Sequence, residues 1–152
     1  MIYHKPFEYS PSHTEREKAA YSYVMSILAI IAGLPLPIVN LLATVIFYLG
    51  NRKSTYFVRW HCTQALFAQI LLFVINMIGV SWLLIIIFGD ASFTNAFIAY
   101  LAMMLLVNLV ELIMTIYSAI QVNRGEHVEW WIFGELTNSF CKRGEATRHT
   151  AS

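Results

Sequence analysis

The sequence predicts an all-α integral membrane protein with four membrane helices in one bundle and a C-terminal helix at the membrane surface. The chain has 152 residues, 58% of them hydrophobic and 12% charged, whereas a soluble domain has about 25% charged residues. Residues 19–51 contain no charged side chain, and residues 60–123 contain only Asp90 and Glu111. A membrane span needs about 20 largely apolar residues, so the two segments have room for several spans.

The first predicted helix begins near His13 and is followed by a short second helix. Ser12 and Thr14 each precede a glutamate by three residues, and this spacing is typical of a capping box at a helix start. Two prolines within residues 33–37 break the helix, because proline removes a backbone donor and clashes with the preceding turn. Residues 38–49 form the second helix, about 18 Å long. It either crosses the membrane as a short helix or returns as one arm of a re-entrant hairpin.

Two longer apolar segments predict the third and fourth helices, over residues 65–88 and 93–122. Each is long enough for one tilted span. The turn-forming residues 89–92, with the sequence Gly-Asp-Ala-Ser, separate them.

The basic residues predict the orientation in the membrane. All ten lie before residue 19, within residues 52–59 or after residue 123. The connections at 33–37 and 89–92 contain none. Because basic loops stay on the cytoplasmic side, we expect a multi-pass protein of the inner (plasma) membrane with both termini in the cytoplasm.

The predicted organisation has four parts. They are a cytoplasmic tail over residues 1–12, a transmembrane domain over 13–123, an interfacial amphipathic segment over 124–143 and a disordered tail over 144–152. The interfacial segment is expected to form a helix or a hairpin at the cytoplasmic surface, because its apolar residues lie near one helical face and tryptophan favours the headgroup layer. These apolar residues are Val128, Trp131, Ile132, Leu136 and Phe140.

Residues 58–66, with the sequence Val-Arg-Trp-His-Cys-Thr-Gln-Ala-Leu, resemble the signature of the Tic-twenty-like family. These are small bacterial membrane proteins related to the twenty-kilodalton subunit of the chloroplast inner-envelope import translocon. Ala119-Ile120 and Gly125-Glu126 are similar to the closing segment of that family. The resemblance covers residues 20–133 and implies a four-helix membrane domain and a link to protein translocation. It does not imply an enzyme.

Six residues are candidates for a functional site: Glu111, Asn108, Asn76, His61, Gln64 and Arg59. Glu111 is the strongest, because an acidic side chain in the middle of a span costs about 2.5–3.5 kcal/mol on insertion scales. Helical spacing places Asn108 on the same stripe, and Asn76 and His61 on the facing side of the third helix. Two roles remain open for Glu111. It is either a protonated structural group that bonds Asn76 or Gln69, or a proton or cation site on a hydrated path.

His61, Gln64 and Arg59 belong to the motif at the start of the third helix. We interpret His61 as an anchor at the headgroup level, since a His-Cys pair without further ligands is a poor metal site. Residues 126–129, Glu-His-Val-Glu, resemble a metal cluster only superficially, and we interpret them as plain surface in a solvated tail.

Patterns typical of catalysis are missing from the sequence. It contains no phosphate loop, nucleophile elbow, zinc signature or dinucleotide fingerprint, so we expect neither an enzyme nor a cofactor. The formal net charge of +1 does not favour nucleic acid as a partner. Cys62 and Cys141 are too few for a disulfide framework, and we expect reduced thiols.

These observations lead to two hypotheses on function. The first is a non-enzymatic subunit or scaffold that contacts membrane lipids and a membrane-protein partner, or copies of itself, through its helices. The resemblance adds protein translocation or membrane biogenesis as its setting. The alternative is an oligomeric small channel or transporter with Glu111 on a hydrated path.

Overall fold

The protein is mostly helical, as the sequence predicts. The computed structural model describes residues 2–5, 7, 9–33, 37–89 and 92–149. Within these residues it contains five helices and two strands. In chain order they are β1 (Ile2–Lys5), α1 (His13–Gly33), α2 (Pro37–Asn51), α3 (Tyr56–Phe88), α4 (Asn95–Asn123), β2 (His127–Trp130) and α5 (Gly134–His149).

Helix α1 begins at His13 with a capping box formed by Ser12 and Glu15. The Ser12 N–H donates to Glu15 Oε2 over 2.7 Å, and the Glu15 N–H donates to Ser12 Oγ over 3.4 Å. The bond from the Ser12 N–H lowers the pKa of Glu15 to about 2. The helix ends at Gly33 and α2 starts at Pro37, a position at which proline is tolerated. The break predicted between them falls on residues 34–36, outside the described residues.

Helices α3 and α4 are long and apolar enough to cross a membrane. At 1.5 Å per residue they measure about 50 and 43 Å. In the most apolar stretch of 18 consecutive residues, only 17% of the residues are buried in α3 and 11% in α4. A helix that is apolar on all sides and exposed on most of them is typical of a membrane span rather than a soluble core. Of the turn predicted between them, Asp90 and Ala91 lie outside the described residues.

The core lies at one end of the helix bundle. Helix α1 packs against α2, α3 and α4, and α3 also contacts α2 and α5. Most buried residues of α3 precede residue 73; within the described part of this helix, only Gly79 and Ile86 are buried beyond it. In α4, the buried residues other than Phe97 lie between Glu111 and Val122. The other ends of α3 and α4 pair with each other and expose apolar side chains.

A two-stranded antiparallel sheet joins the beginning of the chain to its C-terminal part. Ile2 of β1 lies opposite Trp130 of β2, and Lys5 lies opposite His127. In place of the interfacial helix or hairpin expected over residues 124–143, the segment contributes a strand that pairs with β1. Gly125, with φ of +91°, follows the end of α4 in the left-handed region that commonly terminates helices. A strand and a turn come next, and α5 starts only at Gly134 and extends to His149.

Candidate functional site

The first nine buried residues of α3 bring the sequence motif into the protein interior. Residues 57–65 are all buried, and a helix can bury consecutive residues only where other elements cover every side. Here α1, α2 and α5 pack against α3. His61 is 0% exposed, so the expected anchor role in the headgroup layer does not fit its position.

Five buried residues form a hydrogen-bonded group that we call the histidine cluster: Tyr23, His61, Gln64, His127 and Glu129. Tyr23 OH lies 3.0 Å from His61 Nδ1, and His61 Nε2 lies 3.3 Å from His127 Nδ1. His127 Nε2 is in turn 3.3 Å from Glu129 Oε1. The polar contacts therefore run without interruption from α1 through α3 to β2.

Gln64 fixes the backbone of β2 to α3. Its Nε2 donates to Tyr23 OH over 2.8 Å and to the Val128 carbonyl over 3.2 Å. Its Oε1 accepts a hydrogen bond of 3.0 Å from the Trp130 N–H. One side chain that is 0% exposed thus satisfies polar groups of α1 and of two β2 residues.

Helix α5 is attached to the same end of α3. The Trp60 indole donates to Asn138 Oδ1 over 2.7 Å, and Asn138 Nδ2 donates to Glu129 Oε1 over 3.3 Å. Cys141 Sγ lies 3.8 Å from Thr63 Oγ1. These contacts join α5 to both α3 and the histidine cluster.

The interpretation of residues 126–129 as solvated surface is wrong for three of the four residues. Glu126 is exposed, but His127 and Glu129 are 6% and 7% exposed and Val128 is fully buried. The sequence His-Val-Glu-Trp, which follows shortly after Gly125, could have indicated a strand here. Alternation of polar and apolar residues after a glycine is typical of a strand.

Arg59 lies on α3 near the histidine cluster. Its guanidinium carbon is 5.5 Å from the centre of the Tyr56 ring, within the range of a cation–π contact. Its backbone carbonyl accepts a hydrogen bond of 2.8 Å from the Thr63 hydroxyl. Arg59 is 8% exposed, so the motif residue forms part of the packed end of the bundle.

Glu111 lies on the α3–α4 interface. Its Oε1 accepts hydrogen bonds from Gln69 Nε2 over 2.7 Å and from Thr115 Oγ1 over 2.9 Å. The side chain is buried, with 7% of the residue exposed. Asn76 and Gln69 were the two possible partners of Glu111, and the hydrogen bond comes from Gln69.

Asn76 and Asn108 form a second polar contact between the same helices. Each side-chain amide donates to the oxygen of the other, over 3.1 and 2.8 Å. Asn108 also donates to the Met104 carbonyl over 2.8 Å. The six sequence candidates therefore separate into three places: the packed end of α3, the Glu111–Gln69 contact and the Asn76–Asn108 pair.

The chemistry available in these places is hydrogen bonding. Among the residues that the structure describes, no three or more His, Cys, Asp or Glu side chains are arranged to hold a metal ion. Cys62 and Cys141 are both buried, and neither forms a disulfide bond. The described residues contain no feature that indicates a channel.

Comparison with known proteins identifies a different family from the one that the motif resembles. The sequence profile of the magnetosome magnetite crystal formation protein family matches residues 16–135. The assignment to the Tic-twenty-like family, and with it the link to protein translocation, is wrong. The similarity depended on a short His-x-x-Gln-Ala-Leu element and on hydropathy, which many membrane proteins share. Neither a curated protein nor a solved structure significantly matches the chain.

Proposed function

Because the chain belongs to the magnetosome magnetite crystal formation protein family, we propose that it is a non-enzymatic membrane protein that takes part in forming magnetite crystals. The family match over residues 16–135 is the observation that carries this proposal. The two helices long enough to cross a membrane support the membrane location. The hydrogen bonds within the histidine cluster support a structural use of the buried polar groups.

We propose that α3 and α4 cross the membrane and that α1 and α2 form a shorter hairpin beside them, which completes a four-helix bundle. The protein is then a multi-pass protein of the inner membrane or of the magnetosome membrane. The pairing of β1 with β2 supports a common side for both chain ends. The basic residues before residue 19, in the α2–α3 loop and after α4 support the cytoplasm as that side.

Cysteine accessibility tests this arrangement. Cys62 and Cys141 are first replaced by serine, and single cysteines are then placed at the exposed positions Ser10, Arg52 and Ser92. In intact spheroplasts of a host that lacks magnetosomes, where the protein can only enter the inner membrane, we expect a membrane-impermeant maleimide to label Ser92→Cys. We expect it to reach Ser10→Cys and Arg52→Cys only after permeabilisation. Equal labelling of Ser92→Cys and Arg52→Cys before permeabilisation contradicts the four-helix arrangement.

We further propose that the protein acts as a scaffold through helix contacts with lipids and with a membrane-protein partner or a second copy. The lipid-facing side of α4 supports this, because Leu105, Leu106 and Leu109 are 62%, 63% and 55% exposed. Crosslinking in native membranes, followed by purification in mild detergent and mass determination, tests it. A lone monomer after crosslinking contradicts the scaffold role.

Deletion of the gene tests the role in crystal formation. We expect the deletion strain to form magnetite crystals of altered size or number in electron micrographs, and the wild-type chain on a plasmid to restore them. The empty plasmid is the control. Unchanged crystals in the deletion strain contradict the proposed function.

A further inference from the structure

A cavity of about 230 Å³ lies beside the α3–α4 interface, next to the turn that follows β2. Apart from Glu111, the described residues that line it are apolar; they include Leu72, Met114, Trp130, Trp131 and Phe133. Its rim reaches the outer surface of the bundle, since Val110 and Trp131 line it and are 54% and 66% exposed. A molecule dissolved in the lipid phase therefore has a route into the cavity.

Glu111 gives this apolar cavity one polar contact. Its Oε1 already accepts two hydrogen bonds, from Gln69 and Thr115. Its Oε2 is buried and has no hydrogen-bond partner among the described residues. A buried polar atom without a partner destabilises the folded state, so a ligand group that bonds the Glu111 carboxyl group contributes to binding by removing that cost.

The size and lining of the cavity favour a single ring. An apolar cavity of about 150 Å³ binds benzene, so the present cavity has room for a monocyclic ring with one small substituent. The tryptophan and phenylalanine side chains offer ring faces and edges for aromatic contacts. A hydroxyl group suits Oε2 because it both donates and accepts, and so bonds either the ionised or the protonated carboxyl group.

We propose that this cavity binds a lipid-soluble molecule with one hydroxylated ring, such as a phenol. The hydroxyl group bonds the Glu111 carboxyl group, and the ring lies among the apolar side chains. This inference is independent of the role in crystal formation and requires only that the cavity be open to the lipid phase.

Fluorine NMR on the full chain in detergent tests the proposal, with 4-fluorophenol and 4-fluorotoluene as probes. The probes have rings of the same size and differ in the hydroxyl group. Spectra with protein-free micelles correct for partition into the detergent. We expect saturable binding of 4-fluorophenol with at least tenfold higher affinity than 4-fluorotoluene. Equal affinities overturn the role of Glu111 in recognition, and the absence of saturable binding overturns the site.

Three variants locate the binding. Glu111→Leu is expected to lower the affinity for 4-fluorophenol to that for 4-fluorotoluene. Ala68→Leu fills the cavity from its buried wall without changing Glu111, and is expected to weaken the binding of both probes at least tenfold. Glu135→Leu removes an exposed carboxyl group on α5 and is the matched control, with unchanged affinities. Binding that survives Ala68→Leu places the probe elsewhere and overturns the proposal, even if Glu111→Leu fails to fold.

Discussion

Asn76 of α3 and Asn108 of α4 exchange two side-chain hydrogen bonds, with donor–acceptor distances of 3.1 and 2.8 Å. The pair lies where α3 and α4 extend past most of the buried core, so it joins the two helices in their more exposed part. Amide pairs of this kind fix the helices relative to each other, because an unpaired amide in hydrocarbon lacks water as an alternative partner.

The first prediction concerns this pair. We expect Asn76→Leu and Asn108→Leu each to lower the free energy of unfolding, since each leaves an amide without its partner. The double variant is expected to lose less than the sum of the two. A double-mutant cycle in detergent is expected to give a coupling energy of about 0.6 kcal/mol and at most about 1.7 kcal/mol. Additive losses contradict a direct contact.

The second prediction concerns the close approach between α3 and α4 at Gly79. A Cβ atom on Gly79 would lie 2.7 Å from Met104 Sδ and 3.3 Å from Tyr100 Cε1. We expect Gly79→Val to lower the free energy of unfolding by about 1–3 kcal/mol through overpacking, and Met104→Ala to restore part of the loss. Gly50→Val is the matched control, because nothing lies within 4 Å of a Cβ there. Equal losses in both glycine variants contradict the close approach.

The third prediction concerns the attachment of β2 to the helices. Gln64→Met keeps the side-chain length but leaves the Tyr23 hydroxyl, the Val128 carbonyl and the Trp130 N–H without their bonds to Gln64. We expect a loss of about 1–3 kcal/mol and faster proteolysis between α4 and α5. Gln121→Met, at a bond on the exposed surface, is the control and should change neither. Normal protease resistance in Gln64→Met contradicts the attachment.

The fourth prediction concerns the pH dependence contributed by Glu15. The pKa of Glu15 is lowered from 4.5 to about 2 by the Ser12 N–H, so folding favours the ionised form. Its contribution to stability is therefore complete above pH 4.5 and is lost as the pH falls through 2. Melting temperatures of the wild type and Glu15→Gln are expected to converge over this interval. A difference that stays constant from pH 6 to pH 2 would exclude Glu15 as its source.

Hydropathy and capping patterns predicted the helices well, because both are local properties. The spacing between Ser12 and Glu15 located the start of α1 at His13. The apolar span of the third helix was predicted from residue 65, with the motif of residues 58–66 at its start, but α3 begins at Tyr56. The first turns contain Arg59, His61 and Gln64, which lower the hydropathy although they are buried in protein. Hydropathy detects contact with lipid and does not detect polar residues that are satisfied inside a bundle.

The candidate site was predictable only where one helix faces another. The stripe of Glu111 on α4 and the position of Gln69 on α3 follow from the helical period. The contact between His61 and His127 does not, because it depends on β1 and β2 pairing from distant parts of the chain. Nothing local in residues 2–5 specifies that partner. The family assignment failed for a related reason, since a short motif carries little information against a match over residues 16–135.

The burial of residues 57–65 on every side has a geometric consequence for the remainder of α3. A continuous helix turns by about 100° per residue, so once this segment is clamped, the angular position of every later residue is determined. Sliding α3 by one residue would swing His61 away from Tyr23 and, by the same angle, swing Asn76 away from Asn108. The buried end of α3 therefore sets which side of its exposed, apolar end meets α4 and which side faces away from the bundle.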